Sequence, residues 1–314
     1  LKIVNALFLV ISLVGFSVDG FARQDSSKTT SELTTNNAST PEPIVIWQAI
    51  YHDKYIQETL SNALDLTIGS HGDYNIISSN ELSQEQAFEA LKKGGIDLMI
   101  AAASNLREQT TSAIYIPLYR GLLGFRLCLV TKSSNLFDSV RTSQEFIDRG
   151  LSVGLGRSWP DSDVYRDNGF KVVLVDVYES LIELLRQQQF DCFSRGIFEV
   201  DDELTKYRHT GIKLDEHLIF IYPNANFIYV NVNNHKLKQR LNSGFQIAIT
   251  DQSFYDIFNS HFSDILIKKG IYERHIFLMG NSRLTERASK AINKYGIASF
   301  VSTLQSSEDD DTDD

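Results

Sequence analysis

Arg157, Ser158, Trp159 and Asp161 crowd into one short stretch, and Arg195 and Glu199 follow a little further along. Two guanidiniums, an indole and the amides at a helix N-terminus make a set suited to an organic anion. A guanidinium pairs with a carboxylate in a planar, bidentate way and keeps its charge, while N-terminal N–H groups point at an anion. Nearer the N-terminus, Tyr51 and His52 close an apolar run and form another candidate ligand loop.

The elements that must hold these side chains can be read around them. Leu151–Leu155 is a short apolar run, as expected of a buried strand. It breaks at Gly156–Asp161, where Pro160 suits the first turn of a helix and Ser158 or Asp161 can cap it. A turn at Asp167–Gly169, a strand over Lys171–Val177, a helix over Tyr178–Gln189 and a strand over Phe190–Phe193 follow. That order predicts a parallel α/β layer, in which ligands bind beyond the carboxyl ends of the strands. An equivalent order stands upstream. Strands are expected at Ile44–Trp47, Tyr74–Ser78 and Ile96–Ile100, with helices over Asp53–Thr67 and Ser83–Lys93, the second opening on the capping-box pattern Ser83-x-x-Gln86. Gly121–Thr131 and Phe227–Val232 read as strands crossing between the halves. Amphipathic helices over Lys236–Thr250 and Ser253–Lys268 come after them.

The fold expected is therefore α/β, with two lobes joined by two crossing strands and a ligand cleft between them. Residues 1–22 read as a signal peptide with cleavage after Ala22, from the apolar run Ile3–Val18 and the small residues around Gly20–Ala22. Residues 23–43 read as a disordered linker, 44–124 plus 230–284 as the first lobe, 125–229 as the second, and 285–314 as a C-terminal extension with an acidic tail. The 314 residues carry a net charge of −10, which argues against a general nucleic-acid binder. Cys128 and Cys192 both fall in apolar strands. The reading favours two buried free thiols, with a bridge as the alternative.

Catalytic signatures are missing. No His-Glu-x-x-His pair occurs, and two cysteines alone cannot make a four-ligand zinc site. Gly156-Arg-Ser-Trp-Pro160 has Pro where a nucleophile elbow needs Gly, and Gly154-x-Gly156 lacks the third Gly of a dinucleotide loop. No cofactor, metal or catalytic residue is expected.

The order of segments resembles that of periplasmic solute-binding proteins serving amino-acid transporters, with the type II periplasmic-binding fold. The motifs are Phe88-Glu-Ala-Leu-Lys-Lys-Gly-Gly-Ile-Asp97, Ser104-Asn-Leu-Arg107, Pro117-x-x-x-Gly121-Leu-Leu-Gly-Phe-Arg126, Gly156-x-x-Trp-Pro-Asp161 and Phe190-Asp-x-Phe-x-Arg-Gly196 with Glu199. The Gly-x-x-Trp-Pro-Asp combination resembles a divergent branch of that superfamily. The resemblance implies that Arg107, in the position of the family's Thr-x-x-Arg, grips a ligand carboxylate, with Ser104 beside it. It further implies that the loop Gly156–Trp159 receives the same group. Where the family has Asp for the ligand's ammonium, this chain has Arg195, with Glu199 near enough to neutralise it. The expected function is capture of a small, anionic organic solute in the periplasm. The partners would be the small-molecule ligand and an inner-membrane permease or a membrane sensor, and no nucleic acid. The alternatives are a partner-binding scaffold with a degenerate pocket and, third, an exported hydrolase.

Overall fold

The structure is a computed structural model that describes residues 40–157 and 159–297. The expected signal peptide, the expected linker up to residue 39, Ser158 and the acidic tail lie outside the described residues.

In chain order the first lobe opens with β1 (Glu42–Ile46), α1 (Gln48–Tyr51), α2 (Lys54–Asp65), α3 (Ile68–His71), β2 (Tyr74–Ser78), α4 (Gln84–Lys93), β3 (Leu98–Ala102), α5 (Asn105–Thr110) and β4 (Ser112–Ile114). The second lobe follows with β5 (Phe125–Thr131), α6 (Ser143–Asp148), β6 (Ser152–Gly156), α7 (Asp161–Asp167), β7 (Lys171–Val175), α8 (Leu181–Arg186), β8 (Cys192–Gly196), α9 (Val200–Lys206), β9 (Ile212–Leu214) and β10 (Leu218–Ile221). The chain then returns through β11 (Asn226–Val230), α10 (His235–Thr250), α11 (Ser253–Lys268), β12 (His275–Leu278) and α12 (Glu286–Tyr295).

The first sheet has the order β2-β1-β3-β11-β4, with β11 antiparallel to both neighbours. The second has the order β12-β10-β5-β8-β6-β7, and β9 pairs with β5 on the side that β10 occupies further along. Pro43 fits inside β1 because β3 meets that strand only at Ile46, so the missing N–H faces no ladder partner. The expected linker therefore ends earlier: Glu42 and Pro43 already pair with β2.

Two lobes and two crossings are present, but the boundaries move. The crossings are the segments 115–124 and 222–225, because β5 already belongs to the second sheet and β11 to the first. Pro223, which has no N–H to give a ladder, stands between β10 and β11. β12, expected in the first lobe, instead adds a parallel edge to β10 in the second sheet. α12, expected as part of an extension, packs Ala288, Ala291 and Ile292 with Phe227 and Tyr229 of β11.

α2 forms because Asp53 caps it by accepting from the Ile56 amide (3.1 Å) and because Tyr55, Ile56, Thr59, Leu60, Ala63 and Leu64 make one buried stripe. The capping box at Ser83 and Gln86 is present as expected, and Gly94 ends α4 in the left-handed conformation. α11 packs Phe254 and Phe258 with α2 and α10. Its last turns lie with Leu127, Ile197, Val200 and Ile219 of the second lobe, so one apolar core runs through both lobes. The buried Lys269, just past α11, pairs with Asp201 of α9.

Cys128 and Cys192 are joined by a disulfide, against the expectation of free thiols. β5 and β8 are neighbouring antiparallel strands, so the two cysteines meet inside one sheet.

Candidate functional site

The carboxyl ends of β6 and β8, the start of β5 and the end of β10 converge on one edge of the second sheet. Arg126 enters from β5. It donates to Asp161, the first residue of α7 (2.6 Å), to Glu199 just before α9 (3.3 Å) and to the Tyr222 hydroxyl just after β10 (3.1 Å). Tyr222 in turn donates to Asp161. Burial pushes the Tyr222 hydroxyl well above the ordinary phenol range, and Asp161 pushes the same way, so it remains a proton donor.

Arg195 continues the chain of charges. Its guanidinium lies 3.2 Å from Glu199 and 2.9 Å from Glu203, and Tyr178 donates to Glu203. Glu199 also accepts from the Gly196 amide (2.7 Å). The Trp159 ring stands 4.8 Å from the Arg195 guanidinium and stacks on Phe193. It lies directly over Gly156, where a Cβ would come within 2.6 Å of the indole, so only glycine leaves room for the ring. Two guanidiniums thus face three carboxylates, Asp161, Glu199 and Glu203, at one strand edge.

The facing edge of the first lobe is built from rings. Tyr55 stands 5.2 Å from Tyr119 and 4.7 Å from Phe262, while Phe198, from the loop after β8, reaches across to within 5.3 Å of Phe262 and 5.8 Å of Tyr119. A cavity of about 450 Å³ opens over these rings. Asp53, Asn226 and His261 supply polar groups to its wall. Asp53 accepts a hydrogen bond from Tyr119 (3.1 Å), and His261 pairs with Glu58 (2.7 Å). A second crevice of about 270 Å³ lies on the other side of Phe198, among Tyr178, Arg195, Glu199, Asp202, Glu203 and Lys206.

Of the residues singled out from sequence, Trp159, Asp161, Arg195 and Glu199 come together in the second-lobe network. Arg157 does not: it is exposed and pairs with Asp176 (2.5 Å). Ser158 lies outside the described residues. Ser104 is the residue before α5 and makes no side-chain cap. Arg107 donates to the Ala102 carbonyl (3.0 Å) and to Gln84 (3.4 Å), and its guanidinium stands 5.9 Å from the Phe88 ring. Tyr51 packs half-buried on the first-lobe core, and His52 is exposed, edge-on to Tyr51. Sequence reading missed Arg126, Tyr222, Glu203 and the ring cluster with Asp53. Arg126 stood at the end of a quoted motif, and Asp53 before an amphipathic run, so a signal existed for both.

No protein-family model matches the chain, and no curated protein matches it. Solved structures do. The probable amino-acid ABC transporter extracellular-binding protein ytmK from Bacillus subtilis superposes with a TM-score of 0.51 at 14% identity, over 72% of this chain and 99% of that one. The arginine-, lysine-, histidine-binding protein ArtJ from Geobacillus stearothermophilus gives a TM-score of 0.42 at 14% identity, over 71% of this chain and 96% of that one. An arginine-specific periplasmic binding protein from Salmonella typhimurium gives 0.42 at 14% identity, over 70% and 98%. The first of these fixes the architecture: the chain has the two-lobed α/β periplasmic-binding fold.

Proposed function

We infer that the protein is an exported solute-binding protein that holds a small organic solute between its lobes. The observation that carries this reading is the cavity at the strand ends, whose wall is drawn from both lobes through Tyr55, Tyr119 and Phe198. Ligands of open α/β sheets bind at such strand ends, and the cavity has the size of a small-molecule site. The fold neighbour from Bacillus subtilis is itself described as an amino-acid transporter's extracellular-binding protein, which supports a binding role over a catalytic one. A membrane permease or a sensor would then receive the loaded protein. The Cys128–Cys192 bond fits an oxidising compartment such as the periplasm.

The expectation of an anionic solute finds no support. Arg126 and Arg195 are outnumbered by their carboxylate partners, Arg157 is paired with Asp176, and Arg107 is engaged by its own lobe. The same network favours a second reading, a partner-binding scaffold, because charges that satisfy one another leave a solute little to replace. A thermal-shift screen of the purified chain against amines, amino acids, neutral solutes and carboxylates separates the two. A solute at about 100 times its dissociation constant adds roughly 2.7 kcal/mol, which raises the melting temperature measurably. A panel with no shift would overturn the solute-binding reading in favour of the scaffold.

A further inference from the structure

We propose that the ring-lined cavity between the lobes takes an organic cation: an ammonium or guanidinium group carried on a small apolar body. This rests on the solute-binding reading and names the chemistry of the site. The cavity is lined by the rings of Tyr55, Tyr119, Phe198 and Phe262, and aromatic rings attract cations through their quadrupole. The carboxylate of Asp53 stands at the rim, held between the Ile56 amide and the Tyr119 hydroxyl, so a counter-charge is fixed before any ligand arrives. The helix N-terminus beneath Asp53 weakens that charge in part. The second crevice adds to it: across Phe198 stand Glu199, Asp202 and Glu203 against Arg195 and Lys206. Of the other groups at the rim, His261 is already tied to Glu58, and Lys54 is exposed at the start of α2 with its ammonium on a flexible stem. The Asn226 amide makes no side-chain hydrogen bond among the described residues and stands ready for a polar end of the ligand. An anion would find Lys54, His261 and the Asn226 amide as donors, but it would also face the fixed carboxylate of Asp53.

Calorimetric titration of the purified chain tests this with choline, agmatine and putrescine, the neutral isostere 3,3-dimethylbutanol, and succinate. At least one cation should bind, with choline, if it is that one, roughly ten-fold or more tighter than its isostere. Asp53→Asn should lower the affinity for that cation by a similar factor while the melting temperature moves by only about 1 °C, because Asn caps a helix as well as Asp does. Phe198→Ala, which leaves the charges in place, should weaken the cation as well. The proposal is overturned if no cation binds, if cations bind no tighter than the neutral isostere, or if Asp53→Asn leaves their affinity unchanged. Binding of the alcohol or succinate alone would leave solute binding standing and remove only the cation. Silence from every probe here and in the wider thermal screen would remove solute binding itself.

Discussion

The two lobes present opposite kinds of strand edge to each other. The second-lobe edge is charged and paired: Asp161, Arg126, Glu199, Arg195 and Glu203 touch in that order, with Tyr222 and Tyr178 closing the ends. The first-lobe edge is aromatic and hollow. Burying ions is expensive unless each finds a partner, so a charged edge collapses until its members pair. Rings have no such requirement. They meet at tilted or edge-on angles and leave space between them, as Tyr55, Tyr119 and Phe262 do. The edge richest in chemically suggestive residues is thus the one with the least room, and the open space lies over residues that look like ordinary core.

That contrast can be broken most forcefully at Arg126. Arg126→Ala leaves Asp161 and Glu199 facing each other without their shared cation, and losing one partner of a buried pair costs about 3–5 kcal/mol. The fall in the urea midpoint measures it. A loss below about 1 kcal/mol would mean that water already supports the network as it supports an exposed pair. The next effect is covalent and also confined to the second lobe. Replacing Cys128 and Cys192 by alanine frees a loop with a sequence separation of 64, for a loss of about 2–4 kcal/mol. Amide exchange should quicken in β5 and β8 and stay slow in β1 and β3. Equal acceleration in both sheets would show that the shared core through α11 couples the lobes into one folding unit.

Local sequence signals carried the architecture. The capping box at Ser83, the buried stripes of α2 and α10 and most strands of the first lobe depend on neighbours in the chain, and they stand within a few residues of their expected places. What depended on distant pairing was not legible. Arg126 meets its partners across 35, 73 and 96 residues, and Asp53 meets Tyr119 across 66. The disulfide was read as two thiols because β5 and β8 become neighbours only once the chain has crossed into the second sheet. The span that holds β12 was given to the first lobe for a related reason: a strand as short as His275–Leu278 says nothing about which sheet it will join. Trp159, Asp161, Arg195 and Glu199 were found by residue type, yet type could not show that they would satisfy one another.

A smaller perturbation in the first lobe sharpens the contrast, because it acts on the hollow edge without touching a charge. Gly244 of α10 lies against the Ala63 carbonyl of α2, and an added Cβ would fall inside the contact distance of that oxygen. Gly244→Ala therefore pushes the two helices apart, an overpacking that costs about 1–3 kcal/mol. α2 carries Asp53 next to its first turn and Tyr55 within it, so the displacement reaches the wall of the aromatic cavity. The denaturant midpoint should fall modestly, and the affinity for whatever solute the thermal screen identifies should fall with it. The Arg126 network, built on β5, α7 and α9, should keep its own contribution, so Arg126→Ala should lower stability by the same amount in the Gly244→Ala background as in the parent, as distant sites do. Strong non-additivity between the two changes would mean instead that the paired edge and the hollow edge respond as one site, linked through Phe198 and the core along α11.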